Sequence, residues 1–215
     1  MPRLLGLAQA SKVYREHPTL KDLEAFKKFS NGGNEVAFGT IGDASTSEGP
    51  FWETINAAGV LQVPMVMSVW DDGYGISVPR EHQTTKGSIS EALSGMQRTE
   101  NSKGYEIFVT KGWDYAHLCE TYEKAVELAR REHIPVLVHV KEVNQPQGHS
   151  TSGSHERYKD AARLQWESDF DCINKFKEWI LNFDADGQKL ATEEELAQIT
   201  KEAKEWLAQW QDDWN

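Results

Sequence analysis

The sequence predicts an α/β fold, a mostly parallel sheet flanked by helices, followed by a helical C-terminal extension. Three observations predict it. Four short apolar runs alternate with helical stretches between residues 35 and 143, which is the pattern of βαβ units. The runs are continuously apolar, as suits strands covered on both faces. After Tyr158 only polar helical pattern follows, rich in Trp, Lys and Glu.

Each element has its own warrant. Residues 4–16, small and apolar, predict a helix, and residues 21–29 a second, shorter one. Asn31-Gly32-Gly33-Asn34 is a turn. Residues 35–41 form the first strand, and residues 42–49 a loop. Pro50 suits the first turn of a helix, where its missing N–H costs nothing, and that helix runs to about residue 61. Residues 64–69 are the second strand. Ser88, with Glu91 three residues on, caps a short helix over residues 88–98. Residues 105–110 are the third strand, residues 114–132 a long amphipathic helix and residues 135–143 the fourth strand. Residues 1–158 make an α/β domain and residues 159–215 an extension that packs on a partner or continues. Met1-Pro2-Arg3-Leu4 enters helical pattern with no leading strand or cap, so the domain reads as N-terminally truncated, cut inside a longer protein.

Composition excludes several classes. The 215 residues are 39% apolar with eight Trp, enough for a real core. A formal net charge of −11 opposes nucleic acid as a partner and opposes an anionic membrane surface. There is no run of 18 apolar residues and no signal-peptide pattern at the start. Cys119 and Cys172 lack paired spacing and read as ordinary buried thiols of a cytoplasmic protein.

In open parallel sheets ligands sit outside the carboxyl ends of the strands. Gly42-Asp43, Asp71-Asp72, Gly112-Trp113 and Gly148-His149-Ser150 follow the four strands in turn. A divalent cation carried by a diphosphate takes oxygen ligands. Asp43 can supply one carboxylate, Asp72 a second, and the Tyr74 carbonyl a third oxygen. The small residues Gly42, Ala44 and Ser45 let backbone amides approach phosphates, and a helix opening near Pro50 points its positive end at them.

The run Gly42-Asp43-Ala44-Ser45-Thr46-Ser47-Glu48-Gly49-Pro50-Phe51-Trp52-Glu53, then Asn56-Ala57-Ala58, Pro64 and Asp71-Asp72-Gly73-Tyr74-Gly75-Ile76-Ser77, resembles the α-type chain of the thiamine-diphosphate-dependent 2-oxo acid dehydrogenases. These are the decarboxylating first components of the pyruvate and branched-chain 2-oxo acid dehydrogenase complexes. The family pattern is Gly-Asp-Gly, a spacer of about 30 residues, then Asn-Asn; here Asp72 follows Asp43 by 29 residues (72 − 43). The resemblance continues through Gly148-His149-Ser150-Thr151-Ser152 and Arg157-Tyr158, and covers residues 1 to about 180.

The resemblance implies a thiamine diphosphate-binding fold. It implies that Asp43, Asp72 and the Tyr74 carbonyl hold Mg²⁺ and that Gly42, Ala44 and Ser45 contact the diphosphate. His149 would be the catalytic residue near the thiazolium, orienting substrate and lipoyl acceptor, since an imidazole can donate to an oxyanion or shuttle a proton. The implied activity is oxidative decarboxylation of a 2-oxo acid with acyl transfer to a lipoyl group. Implied partners are a β-type chain or fused domain completing the site and a lipoyl-bearing acyltransferase. The Glu that activates the aminopyrimidine belongs to the β-type chain in the family, so this chain alone should not complete the reaction.

Two positions depart from the family. Ala44 stands for the second Gly, and Asp71-Asp72 for Asn-Asn. The extra carboxylate favours a cation and disfavours an anionic ligand. Two other readings are a degenerate subunit kept for assembly and a transketolase-like thiamine enzyme. The His149 loop and Tyr74-Gly75-Ile76-Ser77 argue against the latter. Ser150 and Ser152 match positions phosphorylated in some family members, but such regulation is not expected here. His82, His117, His133, His139 and His155 read as structural or surface residues. Asn182-x-Asp184-x-Asp186-Gly187 with Glu193 resembles a calcium loop, but Lys189 stands where that loop needs an apolar residue. Thr192 with Glu195 reads instead as a capping box.

Overall fold

The computed structural model describes residues 1–20, 23–145, 149 and 155–212. In chain order the elements are α1 (Pro2–Glu16), β1 (Ala37–Gly42), α2 (Gly49–Leu61), β2 (Met65–Trp70), β3 (Tyr74–Gly75), β4 (Val78–Pro79), α3 (Ile89–Ala92), β5 (Glu106–Lys111), α4 (Tyr115–Glu132), β6 (Val136–Lys141), α5 (Ala161–Asp169), α6 (Cys172–Asn182), β7 (Asp184–Ala185), β8 (Gln188–Lys189) and α7 (Glu193–Asp212). The main sheet has the order β1-β2-β6-β5, with every pairing parallel.

The continuous apolar runs are explained by two cores, one on each face. Met65, Met67 and Val69 of β2 and Leu137 of β6 pack with Phe51, Ile55 and Ala58 of α2, Ala8 of α1 and Ile89 of α3. The alternate residues, Val66 of β2 and Val136, Val138 and Val140 of β6, pack with Ala125 and Ala129 of α4. Successive strand side chains point to opposite faces, so a strand facing two cores has no polar side. β2 and β6 are the central strands and the most deeply buried.

Local chemistry ends the helices as expected. Ser88 Oγ accepts from the Glu91 amide at the start of α3, and the Asp114 side chain accepts from the His117 amide at the start of α4. His133 closes α4 in the left-handed region at φ 53°, its Nε2 2.8 Å from the Gly33 carbonyl oxygen. The capping box is present: Thr192 Oγ1 accepts from the Glu195 amide at 3.2 Å, and Glu195 Oε2 from the Thr192 amide at 2.8 Å. Upstream, Asp184 Oδ1 accepts from the Gly187 amide inside the β7–β8 hairpin.

Three expectations are corrected. The helix predicted over residues 88–98 is only α3, Ile89–Ala92, followed by a 3₁₀ turn, Ser94–Met96. In the helix predicted over residues 21–29, the described residues, 23–29, hold only a 3₁₀ turn, Glu24–Phe26. So short a stretch gains little from its own hydrogen bonds, and it is held by Phe26 against Tyr14 of α1. Both cysteines are exposed, not buried. In α4 the buried side chains are Thr121, Ala125 and Ala129, a stripe of period four that leaves Cys119 on the opposite side.

Candidate metal centre at the strand ends

The order β1-β2-β6-β5 makes a topological switch. β1 leads to β2 from one edge, while β5 leads to β6 from the other. The two connections converge on the central pair, β2 and β6, and the carboxyl edge of such a sheet is where α/β proteins bind ligands. Asp43 and Asp71 stand there. The ladder continues one residue beyond each strand to fix them: the Asp43 amide donates to the Trp70 carbonyl at 2.8 Å and the Asp71 amide to the Val140 carbonyl at 2.9 Å.

Asp43 is 2% exposed. Among the described residues neither of its carboxylate oxygens has a hydrogen-bond partner. It precedes the Ala44–Ser47 turn yet caps nothing with its side chain. A buried charge without partners is expensive, and burial, with Asp71 adding like-charge repulsion, pushes the Asp43 carboxyl up to about 6.

Asp71 is fully buried but has all the partners Asp43 lacks. Its Oδ1 accepts from the Gly73 amide at 2.8 Å. Its Oδ2 accepts from Arg80 at 2.9 Å and lies 3.0 Å from His139 Nε2. His139 is itself fully buried, with Ser90 Oγ 2.8 Å from its Nδ1. Burial acts to raise the Asp71 carboxyl, but the His139 and Arg80 contacts outweigh it and hold it below the ordinary range.

Asp43, Asp71 and His139 offer ligand atoms that all lie within 4.8 Å of one another. Of the three, Asp71 and His139 already contact one another. Asp43 alone has carboxylate oxygens without a partner among the described residues, and a turn that carries further oxygens follows Asp71.

That turn is Asp72-Gly73-Tyr74. Asp72 Oδ1 accepts from the Tyr74 amide at 3.0 Å, and Gly73 turns the chain at φ 83°. Burial pushes the Asp72 carboxyl up. Gly75 lies so close to the first loop that a Cβ there would come within 2.9 Å of the Ala44 side chain. The β3 segment is thus packed directly onto the Asp43-Ala44 loop, with Ser47 Oγ donating to the Gln83 carbonyl alongside. A cavity of about 350 Å³ opens beside the turn, with Asp71, Asp72, Arg80, Lys111, Trp113 and Arg163 in its wall.

The structure therefore gathers Gly42, Asp43, Ala44 and Ser45 on one loop, with the Tyr74–Gly75 segment packed against it, and the carboxylate that it brings to Asp43, together with His139, is Asp71. His149 is exposed, in a bend beyond β6. Gly148, Ser150, Thr151 and Ser152 lie outside the described residues. Sequence reasoning named Asp71 only as the neighbour of Asp72 and His139 only as a structural or surface residue, and it did not name Arg80 or Arg163. Adjacent aspartates gave no sign of which would be buried, and His139 sat in an apolar run, Val136 to Val140, that signalled only burial.

A family model described as the dehydrogenase E1 component matches residues 1–211. The chain is 25% identical over 186 residues to the pyruvate dehydrogenase E1 component subunit alpha of Rickettsia bellii, covering 85% of this chain and 54% of that protein. It is 28% identical over 141 residues to the mitochondrial 2-oxoisovalerate dehydrogenase subunit alpha 2 of Arabidopsis thaliana, covering 65% of this chain and 28% of that one. The chain thus spans about half the length of the first relative and less of the second. Among solved structures, a transketolase from Campylobacter jejuni matches at a TM-score of 0.48 and 15% identity, over 84% of this chain and 32% of the other.

Proposed function

We propose, from the premise that the chain belongs to the dehydrogenase E1 component family, that it supplies the metal-and-diphosphate half of a thiamine diphosphate site for oxidative decarboxylation of a 2-oxo acid. The observation that carries this reading is Asp43. It is a buried carboxylate with two unpartnered oxygens, at the sheet's carboxyl edge and beside a turn that carries further oxygens. A hard cation answers that deficit, since oxygen ligands are what Mg²⁺ takes.

In this reading Asp43, Asp72 and the Tyr74 carbonyl hold Mg²⁺. The backbone amides at Gly42, Ala44 and Ser45 face the diphosphate, and the amino end of α2 adds its positive dipole. Asp71, anchored by Arg80 and His139, fixes the start of the turn. Thiamine diphosphate, when bound, supplies the carbanion stabilisation that lets a 2-oxo acid lose carbon dioxide. His149 hydrogen-bonds the substrate side of the site and carries a proton. A β-type chain or domain brings the acid that activates the aminopyrimidine, and a lipoyl-bearing acyltransferase receives the acyl group. The relatives named pyruvate and 2-oxoisovalerate dehydrogenase support a 2-oxo acid of one of these two kinds.

A second reading, a degenerate subunit kept for assembly, draws on Asp72, whose carboxylate is turned onto the Tyr74 amide and repels a diphosphate. Calorimetric titration of thiamine diphosphate with Mg²⁺ separates the two. Metal-dependent binding that Asp43→Ala abolishes supports the half-site. Binding only after Asp72→Asn means the second carboxylate has disabled it. No heat from any variant, with or without a β-type chain, leaves the assembly role.

A further inference from the structure

The turn that carries Asp72, Gly73 and Tyr74 is gripped from outside by a segment far along the chain. Arg163 of α5 donates from Nη2 to the Asp72 carbonyl at 2.8 Å, across 91 residues. Its guanidinium lies against Gly73, where a Cβ would come 3.9 Å from Nη1, and 5.5 Å from the centre of the Tyr74 ring. Lys159 Nζ sits over the same ring at 5.1 Å, and the Tyr158 ring lies 5.7 Å from it. All three residues of the turn are therefore touched by residues 158–163.

The grip is itself anchored. Arg163 Nε donates to Glu167 Oε1 at 2.8 Å, and Lys159 Nζ donates to both Glu167 oxygens at 2.7 and 3.0 Å. Glu167 is 2% exposed and Lys159 is 7% exposed. Two cations on one buried carboxylate hold their side chains in a single arrangement, and the rigid fork of the guanidinium reaches Glu167 from Nε and the Asp72 carbonyl from Nη2 at the same time, a geometry that a point-like ammonium does not reproduce.

We propose that Arg163, braced by Glu167 and Lys159, is a positioning residue for the metal and diphosphate: it fixes the Asp72-Gly73-Tyr74 turn in the conformation that presents its oxygens to the cation. Among the described residues, the bond from Arg163 is the one that ties the Asp72 carbonyl to the C-terminal helices. The proposal rests on the function given above, and its test separates the two.

Amide hydrogen exchange at Gly73 and Tyr74 reports the order of the turn with no ligand present. Mn²⁺ titrated in the presence of thiamine diphosphate reports the affinity. In Arg163→Met both should change, exchange quickening and affinity falling by about tenfold each, the size of one charge-assisted hydrogen bond. Arg98→Met, which breaks a distant bridge to Glu106 and Glu132, should lower Tm and leave both readings alone. Where Arg163→Met does not fold, Arg163→Lys keeps the charge, loses the fork and should give the same two changes. Unchanged exchange at Gly73 and Tyr74 overturns the proposal, as does faster exchange with Mn²⁺ affinity intact. If the wild-type chain binds no Mn²⁺ with thiamine diphosphate, it is the functional reading that falls, and the exchange rates alone then decide whether Arg163 orders the turn.

Discussion

The ends of β1 and β2 hold two buried carboxylates treated in opposite ways. Asp71 is given an amide, a guanidinium and an imidazole. Asp43, equally deep, is given no side-chain partner among the described residues. A fold that can satisfy one buried acid so fully has not left the other bare for want of donors. The difference separates a carboxylate that builds the site from one left to meet what enters it.

The largest expected effect tests the satisfied partner. Asp71→Ala strands Arg80 and His139 and should cost about 3–5 kcal/mol, as removing one side of a buried pair does. Thermal unfolding measures it, and a loss below about 1 kcal/mol would erase the contrast. Asp43→Asn should act in the other direction. Because the folded carboxyl titrates near 6 against an ordinary 3.8, protonation stabilises the fold below about pH 3.8, and that stability is lost as pH rises through about 6. Relative to the wild type, Asp43→Asn should therefore gain stability between pH 4 and 7, by roughly 2–3 kcal/mol from a shift of about two units. Denaturant unfolding at pH 4, 5.5 and 7 reads the slope, and a difference independent of pH would break the argument. Mg²⁺ with thiamine diphosphate should raise Tm at pH 7 in the wild type and not in Asp43→Asn.

Smaller effects sharpen the comparison. Asp72→Asn keeps the bond to the Tyr74 amide and removes a charge, so stability should move by about 1 kcal/mol or less. Thiamine diphosphate affinity should rise, by at most about tenfold, as repulsion of the diphosphate falls. The smallest change belongs to the C-terminal helix. Ile199 of α7 is 60% exposed, and Ile199→Gln should leave stability within about 0.5 kcal/mol in equilibrium unfolding.

Much of the fold was legible because burial on two faces leaves a plain mark. Met65 to Val69 and Val136 to Val140 could be strands between helices and little else. The loop carrying Gly42, Asp43, Ala44 and Ser45 was legible through spacing and small residues. The partners of the site were not. Whether Asp71 or Asp72 turns inward depends on Gly73 at positive φ and on Arg80, set by the β3–β4 hairpin. Arg163 reads as an ordinary charge in a polar helix until α5 is laid across the turn. Cys119 was misjudged because burial was inferred from residue type, whereas the phase of α4 decides it.

The order of the strands also sets how far apart in sequence the anchors of the site lie. β6 is the last strand of the main sheet in sequence, yet it lies between β2 and β5, so two strands must wait for it with open edges. Asp71 meets its histidine only when that strand arrives, and the turn beside it is fastened only after Arg163 has followed. Pairings over such separations form slowly and leave strand edges uncovered meanwhile. The last strand of the sheet in sequence thus brings the histidine that anchors Asp71, and the helix after it brings the arginine that holds the turn.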